Sequence, residues 1–221
     1  VPFPTTPVLD DFNTGATQNL TARSGWGATA MLGLTTYATD SVPTKATSSS
    51  TGGNFWGTSW ADHEAWMGIV SYNPALETFS LCARITDTST GTYYAVNMSN
   101  SATTDFQIVK VISGARTAIG VLNSQTVGAG DSVGMSVIGT QITSYYKASA
   151  GSWTQMDTVS DSSITGAGFI GWRAHQAVLQ EIDQFGGGPP VVFGAPARDT
   201  HTAIPFTQGA GGGAIGGAGP H

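Results

Sequence analysis

From Val8 to Gly187 the chain shows almost no helical periodicity and a long series of short runs in which apolar and polar residues alternate. Alternation at period two gives each strand one apolar and one polar face, so a chain built this way must pack sheet against sheet. Phe79 to Thr86 is one such run, and Asp87-Thr88-Ser89-Thr90-Gly91 turns it into Tyr93 to Met98. Phe106 to Ile112 turns through Ser113-Gly114 into Arg116 to Ile119, with Gly114 supplying positive φ at low cost. Gly130-Asp131 introduces Val133 to Ile138, and Gly139-Thr140 has the form of a two-residue type II′ turn into Gln141 to Tyr146. Trp153 to Met156, Phe169 to Trp172 and Ala177 to Ile182 follow. This many closely spaced strands predict a two-sheet antiparallel sandwich. The opening run Val8 to Asn13 and the closing run Glu181 to Gly188 read as neighbouring strands that join the two ends of that sandwich.

The 221 residues divide on this reading into an N-terminal arm (1–7), a sandwich (8–188) and a Pro/Gly-rich tail (189–221). Thr35 to Gly57 is less regular, with Thr47 to Gly53 as a solvated loop. The tail opens with Pro189, Pro190, Val191, Val192 and Phe193, continues past Phe206, and is nearly pure Gly and Ala from Gly209 to Gly219. Such a segment cannot bury enough surface by itself to offset its ordering entropy, so it is expected to act as an assembly arm on a neighbouring subunit.

Charged residues are only 10% of the chain and the formal net charge is −6, with Lys and Arg scattered singly. No basic stripe exists to neutralise phosphates, so nucleic acid is not an expected partner. No apolar run is long enough for a transmembrane helix, and no membrane partner is expected. Cys82 is the single cysteine and lies in an alternating run, which fits a buried thiol rather than a nucleophile. A polar, charge-poor surface of this kind points to a virion or extracellular setting.

Taken in order, several stretches resemble the concanavalin A-like lectin/glucanase jelly roll in its laminin-G-like form, found in phage virion proteins and bacterial surface proteins. They are Val8 to Asn13, Trp60 to Trp66, Leu81 to Arg84 with Gly91 to Tyr94, Gly130 to Gly134, Ile142 to Tyr146 with Trp153 to Gln155, Gly168 to Gly171 and Ile182 to Gly186. The resemblance implies an all-β jelly-roll β-sandwich with extended terminal arms. It does not set a function, because lectins, hydrolases, adhesion modules and virion parts share the fold.

Glucanases of this class carry a Glu-x-Asp-x-x-Glu strand whose alternate carboxylates face one cleft. Glu181-Ile182-Asp183 matches its first half, but Phe185 and Gly186 stand where the second Glu is needed, so the pair required for hydrolysis is incomplete. No Gly-x-Ser-x-Gly is present, and His63, His175, His201 and His221 have no partner nucleophile in an elbow and no Cys or His cluster for zinc. Solvated or packing roles are expected for all four.

Six tryptophans invite a sugar-binding reading, since flat aromatic faces stack on apolar sugar faces. Trp60 and Trp66 fall at positions the resemblance marks as structural. Trp56, beside the Ser/Gly loop, and Trp172, followed by Arg173 and His175, are the sugar-contact candidates. No cofactor is expected. Calcium is the open alternative, with Asp10, Asp11 and Asp183 meeting if the terminal strands pair; aspartates at strand ends more often make turn or cap bonds. Asn19-Leu20-Thr21 and Asn97-Met98-Ser99 fit the N-glycosylation pattern, which occurs often by chance.

The expected function is a non-catalytic structural or adhesion component of a larger assembly, above all a phage capsid decoration or minor tail protein, as a homo-oligomer or among virion neighbours. The alternative is a carbohydrate-binding module or lectin. A polysaccharide hydrolase comes third.

Overall fold

The computed structural model describes residues 2–13, 16–33, 38–39, 46–48, 52–71, 79–101, 103–174 and 180–191. In chain order the strands are β1 (Val8–Asp10), β2 (Gln18–Asn19), β3 (Ala38–Thr39), β4 (Ala46–Ser48), β5 (Gly52–Phe55), β6 (His63–Ser71), β7 (Phe79–Asp87), β8 (Thr92–Ser101), β9 (Thr103–Ile112), β10 (Ala115–Ala118), β11 (Ser132–Ile138), β12 (Gln141–Lys147), β13 (Thr154–Ser160), β14 (Phe169–Ala174) and β15 (Gln180–Gly188). One sheet runs β13-β12-β11-β6-β15-β4-β3-β2, with β1 also paired to β15; the other runs β10-β9-β8-β7-β14-β5. Every pairing among the described residues is antiparallel. The protein is therefore an all-β sandwich, as the alternation requires.

The alternating residues meet between the two sheets. Ala65, Met67 and Ile69 of β6 and Val133, Met135 and Val137 of β11 face Phe79, Leu81 and Ala83 of β7 and Tyr94, Val96 and Met98 of β8, all buried. Each large aliphatic or aromatic side chain removed from water here contributes about 1.5–3 kcal/mol. At the closed end an aromatic cluster of Phe12, Trp26, Trp172 and Phe185 packs with ring centroids 4.7 to 6.1 Å apart.

Two sequence-read turns have the expected backbone. Ser113 and Gly114 both take positive φ, 49° and 83°, the pattern of a type I′ hairpin between Ile112 and Ala115. Gly139 alone takes positive φ, 58°, in the two-residue link from Ile138 to Gln141, as a type II′ turn demands.

The terminal strands pair as expected, Val8 with Gly186 and Asp10 with Phe185. Asp10 makes this closure a latch. Its Oδ1 accepts from Phe12 N–H and Arg23 Nη2, both at 2.7 Å, and its Oδ2 accepts from Arg23 Nε at 2.6 Å and Trp26 Nε1 at 2.7 Å. Residues 2–7 then cross the outer face of the larger sheet. Glu64, on that face, accepts from Thr5 N–H at 2.7 Å and from the Thr5 and Thr6 hydroxyls at 3.1 and 3.2 Å.

A second tie joins the sheets at β6 and β7. His63 is fully buried; its Nδ1 bonds the Trp60 carbonyl at 3.0 Å and its Nε2 accepts the Arg84 N–H at 2.8 Å. Only the neutral imidazole with its proton on Nδ1 satisfies both bonds. Burial, and secondarily the nearby Arg84 guanidinium, push its pKa down to about 4. Arg84 sits at a bulge with φ 47° and donates to the carbonyls of Gly139 at 2.6 Å and Ala61 at 2.8 Å. His63 thus has the packing role expected of it.

Candidate functional site

The outer face of the larger sheet carries two neighbouring cross-strand rows. One reads Asp183, Gly68, Ser132, Lys147 across β15, β6, β11 and β12; the next reads Gly186, Trp66, Gly134, Tyr145, Gln155 and ends on β13. The first row is polar and forms a shallow cavity of about 350 Å³ with Gln184 and Gly130 at its wall. The second alternates glycine with aromatic rings. A Cβ on Gly186 would collide with the Trp66 indole, and one on Gly134 with the rings of Phe3 and Trp153, so the rings lie directly on bare backbone. Gly68 keeps the polar floor low in the same way, since a Cβ there would stand 2.6 Å from the Asp183 carbonyl.

Phe3 completes the aromatic layer from the N-terminal arm. Its ring stacks on Tyr145 with centroids 3.8 Å apart and planes at 5°, and meets Trp153 edge-on at 4.9 Å. Phe3, Tyr145 and Trp153 are all half-buried, as are Asp183, Ser132 and Lys147. Trp66 is buried, and its Nε1 has no hydrogen-bond partner among the described residues.

Asp131, Lys147 and Asp183 bring charge to the cavity. Desolvation, and next to it the Asp11 carboxylate, raise the pKa of Asp183. Asp131 lines the wall but is spent on its own loop, accepting from Tyr146 Oη and Gly128 N–H at 2.8 Å and Ser149 N–H at 3.0 Å. The face therefore offers hydroxyl, ammonium and carboxylate groups beside flat rings. A larger depression, about 770 Å³, lies beside β1, but its walls carry no aromatic ring and its Asp10–Arg23 pair is closed on itself.

No family model matches the chain, and no curated protein matches it. Solved structures do. The carbohydrate-binding module CBM66 from Bacillus subtilis aligns with a TM-score of 0.51 at 14% identity, over 73% of this chain and 93% of that module. The xyloglucan PUL GH43B of Bacteroides ovatus gives 0.55 at 14% identity, and a xylan β-1,4-xylosidase from Bacillus halodurans C-125 gives 0.52 at 15%. These two cover 83% and 85% of this chain, which spans only 39% and 40% of their lengths. The fold is a two-sheet jelly-roll sandwich shared with these structures.

On this jelly roll the sequence-read sugar contacts do not come together. Trp172 is a correction: it is fully buried, edge-on to Trp26 at 4.7 Å, because residues 170, 172 and 174 are the inward face of β14. Trp56 is half-buried, edge-on to Trp26 at 5.3 Å and pressed over Gly25, on the opposite sheet from the cavity. Arg173 lies on the outer face of the smaller sheet, where its Nη1 donates to Tyr93 Oη at 2.9 Å. His175 lies outside the described residues, as do Val192, Phe193 and Phe206 of the tail. Of the remaining tail residues, Pro189 and Val191 are exposed, Pro190 is half-buried, and Val191 N–H donates to Thr5 Oγ1 at 2.9 Å.

The calcium set is corrected as well. Both Asp10 oxygens are occupied by four donors, and a guanidinium sits where a cation would have to approach. Among the described residues no group of three or more His, Cys, Asp or Glu is placed to hold a metal. Cys82 is fully buried, with its thiol pKa pushed up to about 12 by desolvation.

The glucanase half-motif has a clear structural outcome. Gln184 takes φ 54° at a bulge, which turns Phe185 into the core and returns only Gly186 to the face shared with Asp183. The motif's second Glu position, three residues after Asp183, thus lies on the outer face with Asp183 and holds Gly186, which carries no carboxylate.

Sequence reading gives Trp66 a structural place and puts Gly134 and Tyr145 in strands, and it singles out neither Phe3 nor Lys147. What brings them together is the cross-strand register of four strands, and register is not written in any one of them.

Proposed function

We propose that the protein is a non-catalytic carbohydrate-binding module whose ligand lies in the groove on the outer face of the larger sheet. The observation that carries this reading is the pair of half-buried rings, Tyr145 and Trp153, that flank Gly134 alongside the polar row of Asp183, Ser132 and Lys147. Apolar sugar faces stack on the rings while hydroxyls exchange hydrogen bonds with the polar row. The likeness to a whole carbohydrate-binding module supports the same reading, as does Gly186, which stands on the Asp183 face where the glucanase motif carries its second Glu.

This reverses the order the sequence suggested. The role as a capsid decoration or minor tail protein draws on residues 189–221, of which only Pro189 to Val191 are described. A virion or cell surface suits a glycan-binding module equally well.

The test is affinity electrophoresis through gels containing soluble xylan, xyloglucan or mannan. Retardation by at least one polysaccharide is expected, with the Tyr145→Ala protein binding about tenfold more weakly through loss of a stacking ring. Retardation that Tyr145→Ala and Lys147→Ala both leave intact would place the ligand elsewhere, and no retardation in any gel would remove the carbohydrate reading for these polymers.

A further inference from the structure

We infer that the slot over Gly134, between Tyr145 and Trp153, is a further pyranose subsite of the same face, filled in this structure by the ring of Phe3. The inference rests on the carbohydrate reading above and extends it: the protein carries its own competitor for a sugar ring.

The slot has the shape of a ring site. Its floor is bare backbone at Gly134, and its two walls are aromatic, Tyr145 parallel to the occupant at 3.8 Å and Trp153 nearly perpendicular at 4.9 Å. It is continuous with the polar groove, because Gly134 and Ser132 are alternate outward residues of β11, and Tyr145 and Lys147 are alternate outward residues of β12. A chain of sugar rings lying over Ser132 and Lys147 therefore meets Phe3 at its next ring.

Phe3 is also separable from what holds the arm. The arm is tied at Thr5 and Thr6 to Glu64, at Thr5 to Val191 N–H, and at Pro7, whose carbonyl accepts from Gly187 N–H at 3.2 Å. None of these bonds involves residues 2–4. The Phe3 end can leave the slot while the anchor stays in place, and the ring that replaces it recovers the same Tyr145 face. Competition of this kind lowers the apparent affinity by the fraction of time the slot is closed.

The experiment compares wild-type protein, Phe3→Ala, and Phe3→Ala combined with Tyr145→Ala on xylan, xyloglucan and mannan by affinity electrophoresis, with thermal unfolding of each to confirm folding. Emptying the slot is expected to tighten binding about three- to tenfold, the worth of one aromatic stack, and Tyr145→Ala is expected to abolish the gain. Binding by Phe3→Ala alone, with none by wild type, would support the inference more strongly. Equal or weaker binding by Phe3→Ala would overturn it, making Phe3 part of the platform while leaving the carbohydrate reading intact. Binding by none of the three proteins would instead count against that reading itself, and this inference would fall with it.

Discussion

Acidification should weaken this protein through one buried residue, His63. Its two ring nitrogens are committed to opposite roles, a donor to the Trp60 carbonyl and an acceptor for the Arg84 N–H. A proton on Nε2 would abolish the second bond and place a cation beside the Arg84 guanidinium, out of contact with water. The folded pKa of about 4 lies below the ordinary 6.5, so the unfolded chain takes up the proton first. The sign follows directly. Stability is fully present above pH 6.5, declines as pH falls from 6.5, and levels off below about pH 4, with about 3 kcal/mol lost. Urea unfolding of wild type and His63→Gln across pH 4 to 8 separates this contribution from the carboxylates, which titrate in both proteins. The wild-type curve should fall about 3 kcal/mol further than the variant's over that window. An NMR titration in which the His63 ring protonates near pH 6.5 in the folded state, or variant and wild-type curves of equal slope, would refute the reasoning.

Other outcomes follow from the packing. Gly186→Ala should cost about 1–3 kcal/mol in urea unfolding, because the new methyl collides with a buried indole that has no room to move. Asp10→Asn should cost about 2 kcal/mol and lower the thermal midpoint, since it leaves the Arg23 guanidinium without its bidentate partner and weakens the bond to Trp26 Nε1. Trp56→Ala should leave polysaccharide retardation unchanged where Tyr145→Ala weakens it, which checks in one gel that the ligand face is the larger sheet's.

Much of the fold was legible because alternation is a local property. The strands from Phe79 to Trp172 could be read one at a time, and Ser113-Gly114 and Gly139-Thr140 declared their hairpins through residue types that tolerate positive φ. The site was not legible for the reason that Trp172 was misplaced. Alternation says that Trp172 and Arg173 face opposite ways without saying which of them faces in, and β14 has apolar residues on both sides, Ile170 and Trp172 inward and Phe169 outward. The bulge at Gln184 compounds this, since it exchanges the faces of everything after it on β15. The pairing of Gly134 with both Trp66 and Tyr145, which builds the aromatic row, depends on long-range register alone.

The pairing of β1 with β15 also has a mechanical consequence. Because the two strands run antiparallel and Val8 lies opposite Gly186, the chain enters and leaves the sandwich at the same end of one short ladder. Tension applied through both ends would load its cross-strand hydrogen bonds one after another instead of all at once. Resistance to such a pull then falls to the Asp10 latch and to the bonds between Thr5, Thr6 and Glu64, so a module held by its ends would begin to peel from this corner while the groove between β6 and β12 was still intact.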